Sequence, residues 1–292
     1  MRPSSAGRTE TRAPVGIRLI HEPPRVRYEI LKSAPFLLPL PSASRFMSRF
    51  PRSEDPNIAR VSGVMPVHNE AEVLQEVLDS VARQTRPVDE LVIVFDRCTD
   101  GSREVALRLP HEEITVDLGN TGAAVRVGLD RARYSTVVLF DGNTRVPPDY
   151  VEGLLKGYAA TNADILEWHG GLMLLPNRTI ERFGPPTDKA LWTLEFFLRV
   201  QARGGKVVHL KGPFVRLKPS PLHRNFRYGI DYAELSWQYA LPPFFRVGTK
   251  SGLVQDIVAT AGTLAGHVRS HRLVDAIAGL ISEVRLRDVD ET

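Results

Sequence analysis

Cysteine is almost absent: Cys98 is the only one in 292 residues. That excludes an intramolecular disulfide framework and suits a reducing compartment, so a cytoplasmic setting is expected. No apolar run reaches the roughly 18 residues that a membrane-crossing helix needs, so none is expected. The basic N-terminus is not followed by a continuous apolar core, so no signal peptide is expected either. Internal repeats are lacking, as are low-complexity tracts beyond a proline-rich start. What remains is ordinary: 42% apolar and 25% charged residues, the balance of a soluble globular chain long enough for one large domain.

Charge is distributed unevenly. Residues 1–60 carry +6 and residues 199–250 carry +8 within a net +4, so the remainder is at −10. A basic block in the C-terminal half suits an anionic ligand such as a diphosphate, an acidic acceptor or a lipid headgroup; a solvated basic face is the other reading.

Residues 1–57 hold nine prolines and no sustained period, and read as an extension. Within it the apolar stretch Val26–Leu40 is expected to strap onto the domain. From residue 59 the pattern becomes regular. Strands are predicted at 59–65, 90–95, 113–117 and 135–140, with helices at 70–84, 102–109 and 123–132 between them. The run ELVIVF suits a strand covered on both faces. This alternation predicts an α/β fold with a mostly parallel sheet flanked by helices. Further on, a helix is expected from Tyr150 to Ala160, strand within 164–175, a helix over 189–202 and a strand over 206–210. Residues 220–240 are basic and aromatic, and residues 251–287 are helical in pattern.

Ligands of such sheets bind beyond the carboxyl ends of the strands. Three strand ends carry polar clusters: Pro66-Val67-His68-Asn69-Glu70, Asp96-Arg97-Cys98-Thr99-Asp100 and Asp141-Gly142-Asn143. One such aspartate is commonly a helix cap. Three clusters on one edge point to a site.

These residues resemble a known family. The run VMPVHNEAEVLQEVLDSVARQTRPVDELVIVFDRCTDGS is similar to the opening of family 2 glycosyltransferases. Their pattern is a strand, P-x-Y/H-N-E, a helix ending near Q-T/S-x-x-P, then a strand and D-x-S-T-D-G-T. The similarity continues through GNTGAAVRVGLDRA and reaches LFDGNTRVPPDY, where the family has its D-x-D signature. LRVQARGGKVVHL and HRNFRYG resemble later family segments more weakly. The resemblance covers about residues 60–230. It implies a GT-A, Rossmann-like domain over 58–230, with a nucleotide-binding half (58–150) and an acceptor half (151–230), followed by a helical C-terminal segment (231–292).

The resemblance implies roles. Asp96 would accept from a nucleotide base, and Pro66, His68 and Glu70 would line the base and ribose pocket. Asp141 would contact ribose and a divalent metal, Mg2+ or Mn2+, that neutralises the leaving diphosphate. Asn143 stands where the family has its second acid, and coordinates only through a neutral carbonyl. His209 is a further candidate metal ligand, with a packed strand-end histidine as the other reading. Arg145, Arg224 and Arg227 are candidate diphosphate ligands. His169-Gly170-Gly171 would let backbone approach a sugar; an ordinary turn is the alternative.

A second departure concerns the base. Aligning Leu198-Arg199 with the family's L-R puts Trp192-Thr193 at its E-D position, and threonine cannot take a proton from an acceptor hydroxyl. Three readings stay open. Glu195 or Asp188 acts as base from a shifted position; or the acceptor is a phosphate, already ionised; or the protein binds a nucleotide sugar without efficient transfer. The expected function is transfer of a sugar from a UDP- or GDP-linked donor to an unknown acceptor, phosphorylated or lipid-linked in the second reading. The alternative is a catalytically impaired, nucleotide-sugar-binding homologue. The basic block and the C-terminal amphipathic pattern suit peripheral contact with the inner face of a membrane. No nucleic-acid partner is expected, because no recognition motif accompanies the basic and aromatic residues. A nucleotidyltransferase is disfavoured, since no G-x-G-T/S-R phosphate loop follows the first strand.

Overall fold

Apolar runs bounded by polar residues become the central strands. The computed structural model describes residues 60–219, 221–239, 241, 253–270 and 272. The stretch 26–40 and the helical pattern beyond residue 272 lie outside the described residues. Strands β1 (Val61–Val67), β2 (Glu90–Asp96), β3 (Glu112–Val116) and β4 (Thr136–Leu139) are parallel, with β1 between β2 and β4, and β3 outside β2. Every residue of β2 is buried, as a strand covered on both faces requires. At the sheet edge, β3 alternates half-buried and exposed residues.

Helices α1 (Ala71–Ala82), α2 (Ser102–Ala106) and α3 (Thr121–Arg131) connect these strands. The period of α1 turns Leu74, Val77, Leu78 and Val81 into the core. Helix α3 starts two residues earlier than its apolar pattern predicts, because Asn120 caps it: its Oδ1 accepts from the Ala123 amide at 2.9 Å.

The second half is less regular. It comprises β5 (Thr144–Arg145), α4 (Tyr150–Thr161), β6 (Ile165–His169), β7 (Leu172–Pro176), α5 (Asn177–Phe183), α6 (Trp192–Ala202), β8 (Val207–His209), β9 (Val215–Arg216), α7 (Leu222–Gln238) and α8 (Leu253–Arg269). The stretch 164–175 is two antiparallel strands joined by Gly170-Gly171, with Gly170 in the left-handed region at φ 51°. The basic, aromatic stretch after residue 220 is helix α7, which crosses residue 230.

The main sheet has the order β3-β2-β1-β4-β7-β6-β8, with β7 alone antiparallel to its neighbours. Chain order reverses between β1 and β4, which makes their carboxyl ends the switch point. One apolar layer, including Phe95, Phe140, Tyr150 and Leu154, covers one face. The opposite layer includes Val64, Val94, Leu139 and Phe196. Buried Tyr150 donates its hydroxyl to the Leu139 carbonyl at 2.7 Å, and burial pushes its phenol well above the ordinary range.

Glu90 opens β2 as a buried acid. Its carboxylate accepts from Ser62 Oγ and the Arg133 amide, each at 2.5 Å, and from the Arg133 guanidinium. Burial alone would raise its pKa, but these donors outweigh burial and hold it low. A depressed carboxylate stabilises the fold above its unfolded pKa, and that stability is lost as pH falls through the folded value. Glu90→Gln is therefore expected to cost about 1–3 kcal/mol at neutral pH. The deficit should shrink between about pH 5 and pH 3. Urea unfolding at the two pH values checks this; a deficit independent of pH would contradict it.

Candidate functional site

A cleft of about 310 Å³ opens at the switch point, and all three strand-end clusters contribute to its wall: Pro66, His68 and Glu70 after β1, Asp96 at the end of β2, and Asp141 and Asn143 after β4. Asn69 and Arg97, at the ends of β1 and β2, both have φ 54°. Left-handed non-glycine residues are costly, and they concentrate where a fold positions functional groups.

Asp96 organises one side. Its Oδ1 accepts from the Leu118 and Gly119 amides at 2.7 and 2.9 Å, and Oδ2 from the Asn120 amide at 2.9 Å. It therefore pins the loop leading into α3 while lining the cleft. His68 Nδ1 lies 2.6 Å from the Asp96 carbonyl and donates to it, leaving Nε2 as the ring's other polar atom. Asp100 binds the Ala71 amide, and Ser102 binds the Glu70 amide, so the two loops brace each other. Burial pushes the Cys98 thiol up, which makes it a poor nucleophile.

The opposite side is a network of charge. Asn143, 6% exposed, donates its amide to Glu70 Oε1 at 3.3 Å and accepts from Thr144 Oγ1 at 3.1 Å. An aspartate here would oppose Glu70 with like charge, which is a physical reason for asparagine at this position. Lys218 Nζ donates to the Asn69 carbonyl at 2.7 Å and lies 3.3 Å from Glu70 Oε2. Burial raises the Glu70 pKa, while Lys218 and Asn143 pull it down. Arg216 lies 4.0 Å from Asp141 Oδ2.

The short pairing of β5 with β9 explains which arginine arrives. Thr144 lies opposite Arg216, and Arg145 opposite Val215. Cross-strand partners share a face and neighbours alternate. Thr144 bonds Asp141, so Arg216 shares the cleft face, and Arg145 turns away to pair with Glu76 on α1. The sequence makes Arg145 a candidate diphosphate ligand; in the structure it pairs with Glu76, and Arg216 lines the cleft. In the sequence Arg216 is one of the cations of the basic block 199–250, and nothing but the alternating V-R-L-K sets it apart within that block.

The far wall combines Asn120, which caps α3, and Thr121 of α3, Gly170 and Gly171 of the hairpin, Leu191 to Thr193, and the first two turns of α7. Arg224 and Arg227, the candidate diphosphate ligands, line the cleft. So do His223 and Tyr228, which sequence reasoning does not single out, although both lie in the run HRNFRYG. Asp231 of α7 accepts from the Leu191 amide at 3.1 Å, and Lys189 pairs with Glu234 at 2.7 Å, so α7 is tied to the loop before α6.

Three other expected residues do not line the cleft. Glu195 is 5% exposed and forms a two-pronged ion pair with Arg199. At Asp188 the backbone carbonyl accepts from Asn120 Nδ2. His209 sits on β8 paired with Glu167, whose carboxylate holds the imidazole pKa above its ordinary value. The strand register Glu167↔His209 explains this pairing.

The donor set fits a divalent ion poorly. Asp141 is one carboxylate, Asn143 is neutral and engaged with Glu70 and Thr144, and a guanidinium already faces Asp141. Among the described residues, no group of three or more histidine, cysteine or acidic side chains converges on a point that would hold a metal. Hard cations favour several charged oxygens.

Residues 62–166 match the family model described as Glycosyl transferase family 2. Glycosyltransferase GlyA of Streptococcus pneumoniae is 32% identical over 111 residues, 36% of this chain and 16% of that protein. Glycosyltransferase AglE of Haloferax volcanii is 27% identical over 114 residues, 36% of this chain and 38% of that protein. The chain thus spans well under two thirds of either relative. In fold it is similar to the mannosyltransferase PcManGT from Pyrobaculum calidifontis, solved with GDP-Man and Mn2+, at TM-score 0.55 and 18% identity over 83% of this chain and 81% of that one. Glucosyl-3-phosphoglycerate synthase from Mycobacterium tuberculosis, solved with Mn2+, UDP and phosphoglyceric acid, aligns at TM-score 0.52 and 17% identity over 64% and 80%. Residues 62–166 are thus similar to glycosyltransferase family 2, and they lie within a sheet of GT-A-like fold.

Proposed function

We propose that the protein transfers a sugar from a nucleoside diphosphate donor to an acceptor whose nucleophile is already ionised, such as a lipid-linked phosphate. The observation that carries this is the far wall. The family's base position falls on Trp192-Thr193, which line the cleft, and no carboxylate accompanies them there. The nearest acid in the chain, Glu195, is held by Arg199. A hydroxyl acceptor would lack the base that the family's pattern puts at this position; a phosphate needs none.

The chain's own residues suggest the division of labour. His68 and Pro66 border the base end, and Asp141 stands at the ribose and diphosphate. Arg216, Arg224 and Arg227 bring positive charge to the phosphates, which stabilises the leaving diphosphate as charge builds on it. Trp192 and Leu191 keep that wall apolar and dry. Ile257, Leu264 and Val268 share one exposed face of α8, which supports an acceptor presented at a membrane surface. Among the described residues, no helix is long and apolar enough to cross a membrane.

The test is release of UDP or GDP from sugar nucleotides with polyprenyl phosphate present or omitted. Phosphate-dependent release supports the reading. Binding without release in any mixture supports the alternative, a homologue that binds nucleotide sugars without turning them over, which the buried Glu195 also favours. Asp141→Ala is expected to weaken nucleotide binding at least about tenfold, because one charge-assisted contact is lost. Calorimetric titration checks this; unchanged affinity would remove Asp141 from the site.

A further inference from the structure

The cleft of a diphosphate-binding protein needs positive charge, and the two acids this one offers a divalent ion, Asp141 and Glu70, each have a protein cation beside them. Two cations arrive instead from one short stretch of chain: Arg216 ends β9, and Lys218 lies at the bend just after it. The register that places Arg216 opposite Thr144 directs it toward Asp141, and Lys218 reaches Glu70 and the Asn69 carbonyl. The two acids nearest the expected metal position are thus each paired with a protein cation. Asn143 adds no negative charge and is held by Glu70 and Thr144.

We propose that Arg216, supported by Lys218, takes the charge-neutralising role of a divalent ion, so that the nucleoside diphosphate binds without metal. The inference rests on the proposed function and specifies how that site holds its donor. A guanidinium suits this role because it stays charged at any working pH and offers paired donors that match phosphate oxygens. A divalent ion placed at Asp141 would meet like charge at contact range. Lys218 neutralises Glu70, so that acid is not left to attract a cation or repel the diphosphate.

The test is calorimetric titration of the full chain with UDP and GDP, in EDTA and in Mn2+. Affinities in the two buffers are expected to agree within about threefold. Arg216→Ala is expected to lose at least about tenfold in EDTA, as for removal of a charge-assisted phosphate contact. Part of that loss should return with Mn2+, because Asp141 is then open to the ion. Circular dichroism melting of the variant separates lost binding from lost folding, and Arg216→Lys, which keeps the charge, should retain part of the affinity. Mn2+ alone supplies a readout independent of nucleotide: the wild type should leave its free-ion paramagnetic resonance signal unchanged. Nucleotide binding that appears only with Mn2+ in the wild type overturns the inference and leaves the proposed function standing. Binding in neither buffer overturns both.

Discussion

Glu195→Ala is expected to lower the unfolding free energy by about 3–5 kcal/mol, the cost of leaving one member of a buried ion pair alone. Arg199 is the member left behind. Its Nε and Nη2 donate to Glu195 at 2.8 and 3.0 Å, and its remaining donors reach the Phe183 carbonyl at 2.5 Å and the Pro185 carbonyl at 3.0 Å. Thr187 Oγ1 also donates to Glu195, at 3.2 Å. The pair therefore fastens α6 to the loop 183–187. Glu195 sits in the first turn of α6, where a negative charge also favours the helix dipole. Glu195→Gln keeps the shape and removes the charge, so it should fall between wild type and alanine. Urea unfolding of both variants checks the order. The competing idea, that Glu195 is the catalytic base, makes the opposite forecast. If Glu195→Gln abolished sugar transfer with no change in the unfolding midpoint, the structural role would fail.

Glu195 also marks where a sequence stops being informative. Its spacing to Arg199 is i, i+4, a legible helix pair. Its burial is not legible, and burial decides between a solvated pair, a base and a structural clamp. Legibility elsewhere follows the same division. The strands and the helices α1 and α3 from residue 60 to 140 announce themselves because each spans two or more periods of its own pattern, whereas α2 stops at Ala106, short of the expected 102–109; the switch-point rule then locates the cleft from Glu70, Asp96 and Asp141. Strands β5 and β9 have two residues each, and two residues carry no period. Yet their register is what exchanges Arg145 for Arg216 at the cleft. Helix α7 is hidden for another reason. Its apolar face, which includes Tyr232, Ala233 and Leu235, is interrupted by charges that serve the cleft and the 188–191 loop. His209 resembles a ligand in sequence because a histidine at a strand end commonly faces a site. Glu167 across the sheet claims it, and that neighbour lies 42 positions away in sequence.

The same division between pattern and contact frames the behaviour expected of Gly122→Ala. In sequence, Gly122 is one small residue in the run TGAAV, and alanine there would improve helix propensity. In the structure a β-carbon at this position would lie 2.0 Å from the Thr187 carbonyl oxygen and 3.0 Å from the Trp192 β-carbon. The first is backbone, so no rotamer change relieves it. Helix α3 and the segment 187–192 must separate, and these two elements carry Thr121, Ala190, Leu191 and Trp192 of the cleft wall. The expected cost is about 1–3 kcal/mol in stability, the usual range for overpacking. Nucleotide affinity should fall with it, since the wall moves. Gly128→Ala supplies the contrast. Its β-carbon would lie 2.4 Å from Val64 Cγ1, between α3 and β1 and away from the cleft. That variant should lose comparable stability and keep more of its affinity. Unfolding and nucleotide titration measured together distinguish the two sites. Equal affinity losses would mean that α3 moves as one body, and that the cleft responds to packing anywhere along it rather than to the contact with Thr187.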